Sequence, residues 1–389
     1  MNGLCARSLP VLSGIQYLYP AMNKPISILM LDGQAMYALL VVRCLVRAPG
    51  VRLHVLSFTN RALTRHARGI ASFECLPMLS DASMRLELVQ RVVRKHGIDV
   101  IIASSEDAIE FLSENRDAFR GLCATVATPG TKELAIARDK GLFSRHMAAQ
   151  GLPHPATCVV TNGPEFESAI RALAPPLILK PVSESGGAGV VKFADHRSLL
   201  AHVRAARLRE NGHIVQEFVR GRDGGCNVLC RDGKVLVSTV QKCVVSNPKE
   251  YGAPSCVDVM RDEKVLGQVT RVMQSLNWSG AANVDLKLDE EQSSVTVLEI
   301  NPRYWGSLMA SLYSGVNFPH LACLEGMGVP LPELEFRPVR FTWHKRRLLA
   351  GFLAPKGTAQ FESRGTILRY QLADPMPELI DFTRRKFRR

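Results

Sequence analysis

The sequence predicts an α/β protein that opens on a parallel sheet and later turns to antiparallel hairpins. Three observations predict this. Short apolar runs alternate with helix-length segments from Ile26 to Phe119, and strands alternating with helices at this spacing imply crossover connections. Gly151-Leu-Pro-His-Pro155 then ends a helix with a glycine and two prolines, marking a domain junction. Beyond it, β-forming runs are separated by glycine-rich or Asp-Gly turns.

The elements follow in order. Ile26 to Leu31 is a short apolar strand ending in Asp32-Gly33, and Tyr37 to Val46 is a helix stopped by Pro49-Gly50. Val51 to Phe58 is the next strand. Ser83 to His96 is an amphipathic helix closed by Gly97. Val100 to Ala103 is a strand and Ala108 to Phe119 a helix. Arg138-Asp-Lys140 opens a helix running to Gln150. Pro176 to Lys180 is an apolar strand, followed by a loop holding Gly186, Gly187 and Gly189 and a strand from Val190 to Phe193. Ile214 begins a strand with a polar end. Asn227 to Cys230 is another, and Asp232-Gly233 turns the chain into Val235 to Val240. Gln241 to Pro254 is polar and rich in breakers, and reads as a mobile loop on the rim of a site. Glu263 to Leu276 is helical. Ala281 to Leu288 and the strand opening at Val295 form an antiparallel pair. In the final segment, Phe336 to Arg389, Val339 to Leu349 reads as a strand and Glu378 to Lys386 as a short helix.

At 389 residues, 46% of them hydrophobic, the chain has room for roughly two or three domains and a sizeable core. No apolar run approaches the ~18–20 residues needed to span a bilayer. Met1 to Met22 lacks the continuous apolar core of a signal peptide. The expectation is a cytoplasmic protein with no membrane partner, residues 1–24 being a poorly packed extension. The ten cysteines include no C-x-x-C pair, which favours reduced, buried thiols over a zinc site. The formal charge of +13 suits nucleic acid, an anionic surface or anionic small substrates. Much of it lies in His344-Lys-Arg-Arg347 and Arg384-Arg-Lys-Phe-Arg-Arg389, and reads as a solvated basic tail. No zinc finger, RNA-binding aromatic signature or heptad repeat supports a nucleic-acid reader, so no nucleic-acid partner is expected.

Chemistry concentrates in Val295-Thr-Val-Leu-Glu-Ile-Asn-Pro-Arg-Tyr-Trp-Gly-Ser307. Side chains alternate along a strand, so Glu299 and Asn301 point the same way. A carboxylate and an amide oxygen are hard ligands suited to magnesium, and Arg303 beyond them suits a phosphate. The same residues also read as a strand end with solvated charges. Asp285 lies on the neighbouring strand and pairs beside Glu299, so two carboxylates would repel unless a cation holds them. Lys180 followed by the glycine loop resembles a flexible hairpin lid over phosphates; a plain tight hairpin is the alternative. The lysine precedes the glycines and a strand follows, so this is not a Walker loop. Asp32-Gly33 and Ser104-Ser105-Glu106-Asp107 fall at strand ends, where either a substrate group or ordinary turn chemistry explains them.

Together, Lys140, Lys180 with its loop, Gln216-Glu217-Phe218-Val219 with Gly221, Asp285 and Glu299-Ile-Asn301-Pro-Arg303 resemble the ATP-grasp superfamily. The likeness covers Ile26 to Val329 and is nearest to carbamoyl-phosphate-synthetase-like ATP-grasp ligases, the predicted carboligases. It implies a parallel α/β pre-ATP-grasp domain at 25–135. Two α+β lobes would follow, at 136–215 with the lid and at 216–335 with the metal and catalytic site, and a basic segment at 336–389. It implies that Lys140 and Lys180 hold the α- and β-phosphates, with Ser185, Gly186 and Gly187 in the lid. Gln216, Glu217, Phe218 and Val219 would meet the adenine at the hinge. Asp223 would take the ribose, although Gly-Arg-Asp stands here in place of Gly-x-Glu. Asp285, Glu299 and Asn301 would bind Mg2+, with Mn2+ as an alternative ion, and Arg303 would stabilise the γ-phosphate. Lys242 on the 241–254 loop reads either as a contact to a phosphate or an acidic substrate or as a solvated lysine.

The implied reaction activates a small-molecule carboxylate as an acyl phosphate and joins it to an amine, with release of ADP and phosphate. The alternatives are carboxylation through carboxyphosphate and a non-catalytic nucleotide-binding protein. The carboxylate and amine, lined by the first domain's loops and residues such as Tyr304 and Trp305, are the expected partners, together with a second copy in a homodimer.

Overall fold

The computed structural model describes residues 24–78, 81–161, 165–184, 186–206, 208, 212–247, 252–343 and 363–387. Most of the 1–24 extension, Ser185, the centre of the 241–254 loop, the His344–Arg347 cluster and the last two arginines lie outside the described residues.

The first sheet has strands β1 (Ile26–Met30), β2 (Val51–Ser57), β3 (Ile70–Cys75), β4 (Val100–Ile102) and β5 (Ala124–Thr125). All pair in parallel, in the order β3-β2-β1-β4-β5. Helices α1 (Ala38–Leu45), α2 (Ala82–His96) and α3 (Glu106–Glu114) make the crossovers. Every residue of β1 is buried, as a strand covered on both faces requires. The helix expected over 108–119 starts earlier, at Glu106, and gives way to a 3-10 turn, Arg116–Phe119. β3 went unread because it is a half-exposed edge strand with little apolar alternation.

Helices α4 (Thr131–Arg138) and α5 (Lys140–Ala149) follow. Asp139 separates them, and its carboxylate accepts from Gly141 N and Leu142 N at the start of α5. The second sheet holds β6 (Thr157–Val159), β7 (Leu177–Pro181), β8 (Val191–Phe193) and β9 (His213–Glu217), all antiparallel in the order β6-β9-β7-β8. Leu177, Leu179 and Val215 bury one face against α6 (Glu165–Arg171) and α7 (His196–Ala206), through Phe166, Ile170 and Leu199. The alternation of β7 and β9 turns Ile178, Lys180, Ile214 and Gln216 to the other face.

The third sheet has seven strands: β10 (Arg222–Arg231), β11 (Lys234–Val245), β12 (Cys256–Met260), β13 (Gly280–Asp289), β14 (Ser294–Asn301), β15 (Val339–Thr342) and β16 (Ser363–Thr366). Their order is β14-β13-β10-β11-β12-β15-β16. Helix α8 (Glu263–Ser275) covers one face, packing Val265, Val269 and Val272 with Trp278 against Cys226, Val228 and Val284. Helices α9 (Leu308–Tyr313) and α10 (Phe318–Gly326) join the other face to the core of the first sheet, placing Leu229, Val237 and Phe341 in one cluster with Leu308, Phe318 and Val100. Neither helix was foreseen. They are buried nearly all round, so no polar stripe marks a helical period.

The loop expected to begin at Gln241 begins later. Gln241 to Val245 continue β11, bonded to β10 on one side and β12 on the other. A central strand accepts polar residues when each face supplies partners, and propensity alone misses this. The strand expected over 339–349 is described only as Val339–Thr342. The nine described cysteines are free thiols.

The C-terminal helix Met376–Lys386 packs back on the first domain through one buried cation. Arg43, 2% exposed, donates from Nη2 to both carboxylate oxygens of Glu378 at 2.7 Å and to Asp374 O at 3.2 Å. Removing the carboxylate strands a buried guanidinium. Glu378→Ala is therefore expected to cost about 2–3 kcal/mol in a denaturant titration of the whole chain. A change within about 0.5 kcal/mol, the usual range for surface substitutions, would show that this contact does not hold the helix.

Candidate active site

Strands β13 and β14 run antiparallel, and their register puts Asp285 opposite Glu299 and Asn283 opposite Asn301. A bulge follows at once, so that Leu286 faces Val297. The extra residue ends one ladder pattern beside the two acids, as bulges near functional sites often do. The next strands extend both rows. Glu299, Asp285, Gly225 and Gln241 form one; Asn301, Asn283, Asn227 and Thr239 form the other.

The amide row is a continuous hydrogen-bond chain. Asn301 Nδ2 donates to Asn283 Oδ1 at 3.2 Å and to Asp285 Oδ2 at 3.0 Å. Asn283 Nδ2 donates to Asn227 Oδ1 at 3.1 Å, and Asn227 Nδ2 to Thr239 Oγ1 at 3.2 Å. Thr239 Oγ1 then meets Ser311 Oγ of α9 at 3.0 Å. Each buried amide is thereby satisfied and held in one orientation.

Three cations converge on the acidic row. Lys140, at the start of α5, lies 3.3 Å from Glu299 Oε2 through Nζ, and donates to Glu184 O at the foot of the lid at 2.6 Å. Lys180, 8% exposed, comes from the facing sheet. Burial pushes its ammonium down to about 8, against the pull of Glu299; Lys140 lowers it further and Asp285 opposes. Burial and the neighbouring Glu299 raise Asp285, while the hydrogen bond from Asn301 and the charge of Arg303 oppose the rise.

Arg303 reaches in from the other side of the acids. Its Nη2 donates to Asn301 Oδ1 at 2.9 Å and its Nη1 to Tyr304 O at 3.1 Å. The first domain clamps it: Nε lies 3.3 Å from Glu106 Oε1, and the guanidinium sits 5.0 Å from the Tyr37 ring centroid. Glu106 also pairs with Arg138 at 3.2 Å, two residues before Lys140. Tyr304 and Trp305, expected to line a substrate site, are instead core residues, 2% and 3% exposed. Asp32 likewise faces inward. It accepts from Ser104 N, Ser104 Oγ and Ser105 N, tying the ends of β1 and β4 together.

The other expected residues divide. The lid is a hairpin between β7 and β8, and Gly186 and Gly187 have φ of 68° and 79°, which suits glycine. Gln216 faces the cleft but is engaged, donating to Thr157 Oγ1 at 2.8 Å and to His154 Nε2 at 3.3 Å. The Glu217 side chain points the other way, opposite Leu177, and accepts from Ala174 N at 2.7 Å. Only its backbone is left for the cleft, a correction that follows from strand alternation. Phe218 N donates to Pro176 O at 2.8 Å, its ring lies 3.6 Å from Lys192 Nζ, and half-buried Val219 follows. Asp223 is on the face of Asp285, half-exposed, with Oδ1 at 2.6 Å from Lys287 Nζ.

Lys242 is the clearest correction. It opposes Gly224 and Asp258, one residue off the Gln241–Gly225–Asp285 row, so it emerges on the opposite face of the sheet. There its Nζ meets Asp262 Oδ2 at 2.9 Å, at the N-cap of α8.

The donor set fits a hard divalent cation that keeps outside ligands. Among the described residues, no group of three or more His, Cys, Asp and Glu side chains is placed to hold a metal. Asp285 and Glu299 supply two carboxylates, and the Asn301 amide oxygen is engaged by Arg303. Magnesium binds proteins in this way, through one or two carboxylates with water and phosphate completing the shell.

Sequence reasoning missed Asn283, Asn227, Tyr37 and His154, and placed Glu106 at a strand end without linking it to Arg303. Asn283 was accessible, since it stands two residues before Asp285 on the same strand and so on the same face. Glu106 and Tyr37 come from a different domain, and no local pattern connects them to Arg303.

The chain is similar to known proteins over much of its length. Residues 137–307 match the ATP-grasp domain family. A D-alanine–D-alanine ligase of Chromohalobacter salexigens is 26% identical over 251 residues, covering 58% of this chain and 78% of that one. Two further D-alanine–D-alanine ligases are matched over 64% and 60% of their own length. The carbamoyl phosphate synthase large chain of Methanothrix thermoacetophila is 23% identical over 269 residues, covering 64% of this chain and 24% of that one. In fold, the chain is similar to an L-amino acid ligase from Bacillus licheniformis (TM-score 0.57, 19% identity, 82% of this chain and 77% of that one). It is also similar to N5-carboxyaminoimidazole synthetase from Staphylococcus aureus complexed with ADP (TM-score 0.62, 17% identity, 82% of each chain).

His154 gives this site a pH signature. Its Nδ1 donates to Val297 O of β14 at 2.8 Å while Nε2 accepts from Gln216 of β9, so it pins the two facing sheets together. Burial pushes it down to about 4. A histidine lowered in the folded state binds protons first in the unfolded state, near pH ~6.5. Its stabilising contribution is full above pH ~6.5 and is lost as pH falls toward about 4. His154→Gln is expected to flatten the fall in unfolding free energy between those pH values; an unchanged slope would refute the assignment.

Proposed function

We propose, from the site carried by residues 137–307, which match the ATP-grasp domain family, that the protein is an ADP-forming, ATP-dependent ligase joining a small-molecule carboxylate to an amine. The observation that carries this reading is the meeting of Lys140, Lys180 and Arg303 on the Asp285–Glu299 pair between two facing sheets. Phosphoryl transfer needs positioning and charge neutralisation more than covalent help from the protein. Three cations on rigid elements supply that without a nucleophilic side chain.

In this reading Lys140 and Lys180 hold the α- and β-phosphates. The backbone at Glu217 to Val219 receives the adenine, and Asp223 receives the ribose. Arg303, clamped by Glu106 and Tyr37, faces the γ-phosphate as its charge spreads in transfer. Asp285 and Glu299, with Asn301 bonded to Asp285 beside them, would hold magnesium, which would supply charge neutralisation at the phosphate oxygens. A carboxylate oxygen of the substrate bonds to the γ-phosphorus as ADP leaves, giving an acyl phosphate. The amine nitrogen then bonds to the acyl carbon, phosphate departs, and a proton is released. The lid around Gly186 and Gly187 excludes water that would otherwise hydrolyse the acyl phosphate. Both organic substrates enter from the β1 and β4 ends of the first sheet, where Tyr37 and Glu106 border Arg303.

ADP release in the presence of magnesium and ATP, screened against pooled carboxylates and amines, tests the proposal. One or more pools should stimulate turnover, with an amide product found by mass spectrometry. Glu299→Gln should lower that turnover by about 10²-fold or more while leaving the thermal midpoint nearly unchanged. If no pool stimulates ADP release, and Glu299→Gln binds magnesium and ATP as wild type does, the ligase reading fails.

A further inference from the structure

The C-terminal helix carries an apolar stripe that the described residues leave uncovered. Met376, Leu379, Phe382 and Phe387 are 50%, 55%, 64% and 80% exposed. At helical spacing they fall within roughly 140° of one another. Leu372 on the preceding helix, Leu368–Ala373, is 76% exposed as well. Aromatic and long apolar side chains grouped this way on the surface mark an interaction site.

The charge around the stripe identifies its partner. Arg385 and Lys386 are exposed at the end of the helix, and Arg384 donates to Arg61 O at 2.5 Å, joining the helix to the turn Leu63–His66. Arg61, Arg65 and Arg68 are exposed on and beside that turn. The nearby acids are already committed: Glu378 to Arg43, Asp374 to Arg68 N, and Asp381 to Arg385. A second copy of the chain docking here would bring the same cations face to face. Nucleic acid would satisfy the cations but leave the apolar stripe in water. An anionic lipid surface satisfies both, since apolar side chains enter the acyl boundary while arginines and lysines meet the headgroups.

We propose that the Met376–Lys386 helix, with the arginines of the 61–68 turn, is a peripheral docking surface for anionic membranes. This departs from the sequence expectation of no membrane partner. It does not involve spanning: among the described residues, no helix is long and apolar enough to cross a bilayer. The inference is independent of the ligase reading.

The test is sedimentation of the full chain with vesicles. Phosphatidylcholine containing roughly 30% phosphatidylglycerol should retain it at low salt, pure phosphatidylcholine should not, and added salt should release it. The double variant L379D/F382D should lose at least about tenfold in partitioning, and R385E/K386E a comparable amount. Both pairs lie on the exposed face, so the thermal midpoint should not move. Should the aspartates disturb the helix, L379Q/F382Q repeats the measurement without added charge. No retention on anionic vesicles overturns the proposal, as does retention unchanged in both double variants. A concentration-dependent dimer in ultracentrifugation, abolished by L379D/F382D without vesicle binding, would assign the face to self-association instead.

Discussion

Two carboxylates held side by side away from bulk water are unfavourable, and this chain builds such a pair deliberately. Asp285 and Glu299 face each other across adjacent strands with a bulge directly beside them. Burial and the neighbouring charge both push Asp285 toward its protonated form. The fold answers with positive charge from three directions: Lys140 from the start of a helix, Lys180 from the facing sheet, and Arg303 from the end of the same strand. These cations offset the acids in the protein as it stands. A polyanion entering among them would shift the balance again, and a divalent cation beside the acids would restore it. This balance of charge supports the proposed binding of a metal and a phosphate chain together.

Holding those groups in place is the work of the surrounding architecture. The amide row from Asn301 to Ser311 fixes Asp285 through bonds of 3.0 to 3.2 Å. His154 joins the edge of β14 to β9, so the two sheets meet at a defined spacing. Glu106 and Tyr37, beside the first sheet, orient Arg303 from outside the residues that match the ATP-grasp domain family. Rigid elements presenting charged groups at fixed positions are what transition-state stabilisation by electrostatics requires.

The fold was legible wherever local pattern and tertiary environment agree. The parallel sheet, the lid hairpin and the pairing of Asp285 with Glu299 all follow from period, turn residues and strand alternation. Helices α9 and α10 did not, because complete burial erases the contrast that marks a helix. The site divided along the same line. Residues that share a strand, such as Glu299 and Asn301, were placed by alternation. Lys242 was misplaced because a loop was expected where a central strand runs, and strand geometry turns it away from the acids. The Glu217 side chain was misplaced for a different reason: its strand was expected, but alternation sets it opposite Leu177 and turns it from the cleft. The Glu106–Arg303 contact joins the start of α3 to the chain just after β14 and becomes visible only when the chain is folded.

The central claim is that Asp285 and Glu299 carry a divalent cation facing a phosphate chain held by Lys140 and Lys180. Anomalous scattering from crystals grown with manganese and a non-hydrolysable ATP analogue addresses it directly. The account predicts a manganese peak beside the Asp285 and Glu299 carboxylates, with analogue density running past Lys140 and Lys180. Nucleotide and metal bound elsewhere, or nucleotide in this cleft with no manganese at the two acids, would contradict it.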